Sequence, residues 1–373
     1  MRSFTLSILT LFLLFTTTSS AQTNLLVSEQ TEVSLLTCGS GNQLHSLFGH
    51  TALRIHNIQN GVDVVFNYGA FDFSTPNFYM KFVKGDMQYF VATGSYDEFI
   101  QNYQYENRTV YEQKLNLTPE QKQQLINDLV AVLSSDQKYY TYKFIDRNCT
   151  TMVAERINSL LKTAISTDIP DTQKDYRTIL NSYLANSFYE KLGINLIFGA
   201  KVDKQSDKLF LPLELMEGVS KTKSGAIPLA SETVTVYQQQ PTDTSGSLWN
   251  NSYTFIAALA LFVAFAHKKP VAIGYLAIMG LMGLFFALVG SYSFHEEVSA
   301  NYNTLVISPI FLISLFFLIA KNKKGFRISA YACFVSMLAF IGYAFNKDHF
   351  LLMLPIILAN TALLVRLLRK EKQ

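Results

Sequence analysis

From residue 248 onward the chain is a succession of apolar runs separated by short polar links. The runs cover residues 248–266, 271–292, 304–320, 328–345 and 350–368. Each is close to the ~20 residues a helix needs to cross the hydrocarbon core of a bilayer. Inside a bilayer, backbone groups must bond within the segment, so continuous runs of this length predict spanning helices. The links alternate in character. "HKK" (267–269), "KNKKGFR" (321–327) and the tail "RLLRKEKQ" are basic, whereas "SFHEEVSANYN" (293–303) and "NKDH" (346–349) are not. Cytoplasmic links carry the excess of Lys and Arg. The pattern therefore predicts five crossings, a cytoplasmic C-terminus, and everything before residue 248 on the far side of the membrane.

The N-terminus agrees with this independently. In "MRSFTLSILTLFLLFTTTSSAQT", Arg2 is a positive n-region, 4–15 an apolar core too short to span, and Ser19-Ser20-Ala21 a small-residue cleavage site. Residues 1–21 read as a signal peptide, and Gln22 follows the cut where a lipid-anchored protein would have cysteine. The expected organisation is an exported domain over 22–240, a polar linker over 241–247, and a membrane domain over 248–373. A net charge of +3 is too small to suggest nucleic acid as a partner. No clustered Cys/His spacing suggests a metal, and no cofactor is expected.

The soluble half reads as α+β. "TEVSLLTCG" alternates weakly as a strand, and "HTALRIHNIQNGVDVVFNYGAF" is a hairpin turning at Asn60-Gly61. "MQYFVATG", "RTVYEQKLNL" and "YYTYKFI" are further strands. "TPEQKQQLINDLVAVLSS" is a helix with Thr118 as N-cap, Pro119 at N1 and Gln121 completing a capping box. "DTQKDYRTILNSYLANSFYEKLG" gives two short helices or one kinked helix.

The most informative stretch is "YKFIDRNCTTMVAERINSLL" (142–161). Asn148 is a strong N-cap, which puts Cys149 in the first turn of a helix whose apolar stripe is Met152, Val153, Ile157, Leu160 and Leu161. Free N–H groups and the positive end of the helix dipole favour a thiolate there. The same groups, around Cys149 and Thr150 with Asn148 in support, could hold an oxyanion. The candidate base is His50 in "FGHTALRI", which shares a strand face with Ala52 and Arg54, away from Thr51, Leu53 and Ile55. A third polar group must orient the imidazole, and Asn67 and Asp72 in "FNYGAFDF" are the nearest choices. His45, Arg54 and Tyr68 around the hairpin, and His295, Asn301 and Asn303 in the link 293–303, are candidate substrate contacts. A merely solvated link is the alternative for the last three. A Cys38–Cys149 disulfide, or Cys38 itself as nucleophile, are the competing uses of the cysteines.

The order of parts, a histidine opening a hairpin and a cysteine opening a helix about a hundred residues later, resembles the permuted branch of the papain-like NlpC/P60 superfamily. That branch includes the lecithin:retinol acyltransferase group, which moves acyl chains from phospholipids through a thioester. A closer resemblance runs along nearly the whole chain. "SLLTCGSGNQLHSLFGHTALRI", "FNYGAFDF", "DRNCTT", "LGINLIFGAKVDK", "LFLPLEL" and "HEEVSANYNTLVISP" are similar to the Lnb family of Bacteroidota membrane proteins implicated in lipoprotein N-acylation. The resemblance implies that 22–240 is a periplasmic catalytic domain of permuted papain-like fold, with Cys149 as nucleophile and His50 as base. It implies that the five-helix membrane domain after it lies in the inner membrane. It also implies a phospholipid acyl donor and a diacylated lipoprotein acceptor. The rival expectations are a papain-like cell-wall peptidase and a non-catalytic scaffold with a Cys38–Cys149 disulfide.

Overall fold

The computed structural model describes residues 28, 30–241 and 247–372. The expected signal peptide and most of the expected linker lie outside the described residues. The N-terminal part is an α+β domain on a seven-stranded sheet in the order β6-β4-β3-β2-β1-β5-β9, with every pairing antiparallel. Its first strands are β1 (Thr31–Cys38), β2 (His50–Asn57) and β3 (Val62–Ala70). The β2–β3 hairpin turns through Gly61 (φ 67°), as the Asn60-Gly61 pair predicts. Both faces of these strands are buried. Leu53, Ile55 and Phe66 belong to one core and Leu36, Ala52 and Val65 to another. That is why β1 alternates only weakly, since neither face meets water.

The remaining elements follow in order: α1 (Phe78–Lys84), β4 (Gln88–Ser95), α2 (Tyr96–Tyr105), β5 (Val110–Lys114), α3 (Pro119–Leu133), β6 (Tyr139–Thr141), α4 (Cys149–Asn158), α5 (Tyr176–Tyr183), α6 (Phe188–Ile197) and α7 (Pro212–Lys221). A small ribbon, β7 (Lys223–Ser224) with β8 (Ile227–Pro228), precedes β9 (Val234–Tyr237) on the edge beside β5. The capping box of α3 is as expected, with Gln121 N–H donating to Thr118 Oγ1 at 3.3 Å and Thr118 N–H to Gln121 Oε1 at 2.9 Å. Helices α1, α2 and α7 and strand β9 go beyond the sequence reading. The strand expected over 139–145 stops at Thr141. Lys143 and Arg147 exchange backbone hydrogen bonds of 2.9 and 3.0 Å and turn the chain toward α4.

The C-terminal part is helical: α8 (Ser252–Phe265), α9 (Lys269–Tyr292), α10 (Ile310–Ile319), α11 (Lys323–Ala344) and α12 (Phe350–Lys372). Among the described residues three helices, α9, α11 and α12, are long and apolar enough to cross a membrane. A fourth crossing results if Glu296–Leu305 and Ile310–Ile319, bent by 45°, count as one span. The third apolar run is therefore not one continuous helix. Pro309 lacks an N–H and restricts Ser308, and α9 accepts the irregular backbone closely at Gly283. A Cβ there would meet Ile307 O at 2.4 Å.

The two parts share their packing. Leu192 and Leu196 of α6 lie in the same buried cluster as Tyr275, Leu276 and Phe311. Beside them Arg177, 2 % exposed, donates to Asp203 Oδ1 at 2.7 Å, Asn195 Oδ1 at 3.0 Å and Gly199 O at 3.0 Å. Tyr302 Oη donates to the other Asp203 oxygen at 2.7 Å. A buried guanidinium persists only when its charge and donors are matched in this way.

Candidate active site

Asn148 caps α4 with both ends of its side chain. Oδ1 accepts the N–H groups of Thr150 at 2.9 Å and Thr151 at 3.0 Å, while Nδ2 donates to Phe144 O at 2.8 Å and Phe210 O at 3.0 Å. Thr151 Oγ1 accepts the Asn148 N–H at 2.9 Å, closing a capping box. The expected oxyanion role of Asn148 and Thr150 is thereby corrected. The Asn148 amide is saturated, the Thr150 N–H is consumed by the cap, and its hydroxyl shares a 3.0 Å hydrogen bond with Thr51 Oγ1. The N–H groups that the cap uses are those of Asn148, Thr150 and Thr151, and that of Cys149 is not among them.

The Cys149 thiol is half-buried at this helix start. Burial pushes its pKa up. The His50 imidazole opposes this by charge and hydrogen bonding, and the Thr51 backbone and Thr150 hydroxyl add to it, so that the thiol lies below its ordinary value.

His50 opens β2 directly after Gly49, which is left-handed (φ 84°). A Cβ at Gly49 would stand 2.5 Å from Cys38 O, so only glycine fits. His50 Nε2 lies 3.2 Å from Asn67 Oδ1. An amide oxygen only accepts, so Nε2 carries the proton and Nδ1 is the basic nitrogen. The ring stacks on Tyr103, with centroids 6.5 Å apart and planes 12° apart. Of the two candidate orienting residues the structure selects Asn67. Asp72 lies beyond the end of β3, is exposed, and spends its carboxylate on Ser74 N–H (2.8 Å) and Oγ (2.6 Å).

Gly69 brings the two halves of the site together. It sits where β3 loses register with β4 between Asn67 and Ala70, at φ 100°. A Cβ on Gly69 would lie 3.6 Å from Cys149 Cβ, 3.8 Å from His50 Cε1 and 3.9 Å from Tyr140 Oη. The Tyr140 hydroxyl is buried and unpartnered among the described residues. Cys38, paired with His50 across β1 and β2, is a free, fully buried thiol pushed up to about 12 by burial. Cys149 is free as well, so the Cys38–Cys149 bridge of the rival reading is not formed. Cys38 is also unfit as a nucleophile.

The other candidates divide. His45 is exposed, with its ring edge-on to Phe71 at 6.4 Å. Arg54 is held by Asp63 at 2.7 Å and Glu112 at 3.1 Å, with its guanidinium over the Tyr96 ring, so it serves the fold. Tyr68 is fully buried in the core beneath α4. His295 donates to Phe82 O at 3.1 Å. Asn301 and Asn303 donate to the last carbonyls of α6, at 2.8 Å to Leu196 O and 2.8 Å to Asn195 O. These three residues, proposed as substrate contacts on a free link, instead fasten that link to the soluble domain.

Two supports were not anticipated. Glu214 Oε2 accepts the N–H groups of Phe210 (2.8 Å) and Leu211 (2.9 Å), and Phe210 O in turn holds Asn148. Pro212 packs against Gly49, 3.3 Å from where its Cβ would stand. The run "LFLPLEL" thus steadies both the strand that carries His50 and the helix that carries Cys149. Its Pro at N1 and Glu at N3 are the helix-start signals that could have located it. The second support is Lys143, which donates to Phe294 O at 2.6 Å and Gly85 O at 3.1 Å. Ile145 N–H donates to Glu297 Oε1 at 3.2 Å alongside it. The segment leading into the nucleophile's cap is thereby tied to residues just past the end of α9. Among the described residues no group of three or more His, Cys, Asp or Glu is placed to hold a metal ion.

A thiol with a lowered pKa, an imidazole hydrogen-bonded to it through its basic nitrogen, and an amide on the other ring nitrogen are the parts of a nucleophilic centre. In comparisons with known proteins, the Lnb N-terminal periplasmic domain matches residues 18–182 and the Lnb transmembrane domain matches residues 250–371. No curated protein and no solved structure matches the chain.

Proposed function

The chain belongs to the Lnb family, a multi-pass membrane protein with a periplasmic N-terminal domain, and on that footing we propose that it is a lipoprotein N-acyltransferase. It moves an acyl chain from a membrane phospholipid, through a thioester on Cys149, to the α-amine of a diacylglyceryl-cysteine lipoprotein. The observation that carries this reading is the tie between 143–148 and the loop after α9. It holds a primed thiol beside the outer end of a membrane helix, where both substrates present their reacting groups. A cell-wall peptidase gains nothing from such a tie.

His50 Nδ1 takes the Cys149 proton, and the thiolate attacks an ester carbonyl. The oxyanion is held by the Cys149 N–H and by the Tyr140 hydroxyl, which is buried and unpartnered among the described residues. The carbon–oxygen bond to glycerol breaks, the imidazolium protonates the departing alkoxide, and a lysophospholipid leaves. The lipoprotein amine then attacks the thioester, His50 removes the amine proton, and the carbon–sulfur bond breaks to give the amide and the thiolate. Asn67 keeps the imidazole in one tautomer throughout. A helix bearing the nucleophile packed on an antiparallel sheet bearing His50 supports a permuted papain-like relationship. Inner-membrane placement with five crossings and a cytoplasmic C-terminus follows from the basic links, with α8 and the bent pair each serving as a crossing.

Mass spectrometry of lipoproteins from cells lacking the protein tests the reading. Loss of the N-terminal acyl group is expected. Unchanged lipoproteins together with altered muropeptides would replace this reading with the peptidase.

A further inference from the structure

Strands β3 and β4 are antiparallel neighbours that a two-residue turn could join, yet the chain makes an excursion over 71–87 between them. The excursion carries α1, a helix without a single buried residue. Helices of a soluble domain bury one face, as α2, α3 and α4 do here. Helix α1 rests on the domain through the half-buried Phe78 and Val83, and with its approach it exposes Phe73 (64 %), Tyr79 (77 %), Met80 (70 %) and Phe82 (40 %). An apolar patch of this kind marks a surface with a partner.

The position of α1 says which partner. Its last turn is bonded to the end of a membrane helix: Ser293 Oγ donates to Val83 O at 2.8 Å and Phe294 N–H to Lys84 O at 2.7 Å. Just before these residues, α9 exposes Phe285, Leu288 and Tyr292. The apolar surface of α1 therefore continues that of a membrane-crossing helix. Lys81 and Lys84 occupy the last turn of α1, and Lys84 also pairs with Asp86 at 2.6 Å. Lysines so placed keep their ammonium groups at head-group level while their stems lie on apolar surface.

We infer that residues 71–84 are embedded in the outer leaflet of the bilayer and form the entry by which a phospholipid acyl chain reaches Cys149. The leaflet contact stands on geometry alone, while the entry role rests on the acyl-transfer reading. Aromatic rings mark the route. Phe73 meets Phe71 at 4.9 Å, Phe71 meets Tyr89 at 5.1 Å, and Tyr89 meets Tyr140 at 6.2 Å, next to Gly69 and the thiol.

The test uses the full chain in nanodiscs of brominated phosphatidylcholine. Trp249, the single tryptophan, is first removed as Trp249→Phe. Tyr79→Trp then reports on α1. Ile58→Trp is the control, at the hairpin tip that lies the length of β2, about 25 Å, from His50. Quenching of the Tyr79→Trp reporter by bromolipid, with the Ile58→Trp reporter unquenched, is expected. Equal, absent quenching would overturn the inference, whatever Cys149 does. For the entry role, Met80→Asp should slow thioester formation from vesicle phospholipid about tenfold and leave reaction with a short-chain, water-soluble ester unchanged. Equal loss with both donors would overturn it. Absence of any thioester in the unsubstituted protein would instead sink the acyl-transfer reading and leave the quenching result standing.

Discussion

The His50 imidazole lies 3.2 Å from the Asn67 side-chain oxygen, the two residues sitting on adjacent strands of one hairpin. The contact is local in the fold and independent of the helix that carries Cys149. The imidazole is therefore held by the sheet together with the Tyr103 ring of α2, and the thiol is delivered to it by α4.

If Asn67 orients the imidazole, Asn67→Ala should slow thioester formation by about ten- to a hundredfold without lowering the melting temperature appreciably. Asp72→Ala should leave the rate unchanged, because that carboxylate only closes a turn on Ser74. Equal effects of the two substitutions, measured by single-turnover acylation, would remove Asn67 from its role.

The thiolate is the reactive form, and Cys149 lies below the ordinary thiol value because His50, Thr51 and Thr150 outweigh its burial. Its alkylation rate should rise with pH and level off at a midpoint below the ~8.5 of an unperturbed cysteine. His50→Ala should move that midpoint upward. Cys38, pushed up to about 12, should stay unlabelled in the folded protein. An unmoved midpoint in His50→Ala would separate the two residues.

Glu214 gives a pH dependence of stability. Burial raises its carboxyl from 4.5 to about 7, against the Leu211 and Phe210 N–H groups that favour the charged form. The folded state therefore holds a proton that the unfolded state releases. Its stabilising contribution is complete below pH 4.5 and is lost as pH rises through about 7. Glu214→Gln keeps an oxygen for both N–H groups and should flatten this slope in thermal unfolding between pH 5 and 8. An unaltered slope would place its origin in another group.

Asp203 neutralises Arg177 where the soluble domain meets the loop after α9. Asp203→Ala leaves a buried guanidinium without its partner and should cost about 3–5 kcal/mol. Limited proteolysis should then cut within 293–303 and should spare that loop in the unsubstituted protein. Unchanged protection would mean that the loop's other ties, through Phe294, Glu297, Asn301 and Asn303, hold it without the Asp203–Arg177 pair.

Local signals were legible in the sequence. The Asn60-Gly61 turn, the capping box at Thr118 and the cap at Asn148 each depend on residues within a few positions of one another, and each stands as read. The choice between Asn67 and Asp72 was not legible, because alternation does not say that β3 ends at Ala70. The role of Gly69 depends on a register shift against β4, and that of Glu214 on a carbonyl it steadies for Asn148. The loop 293–303 was misread for a related reason. Lys143 and Phe294 stand 151 positions apart, and no periodicity reports such a contact. In the third apolar run, composition predicted a span, but the break at Pro309 depends on how closely α9 approaches at Gly283.

The central claim is a covalent acyl-enzyme on Cys149. The full-length protein, mixed with phospholipid vesicles in the absence of acceptor and digested under acidic conditions, is read by mass spectrometry of the peptide containing Cys149. The account predicts a fatty-acyl mass increase on that peptide, removed by neutral hydroxylamine and absent from Cys149→Ala. An unmodified Cys149 in a preparation that still acylates lipoprotein, or transfer retained by Cys149→Ala, would contradict it.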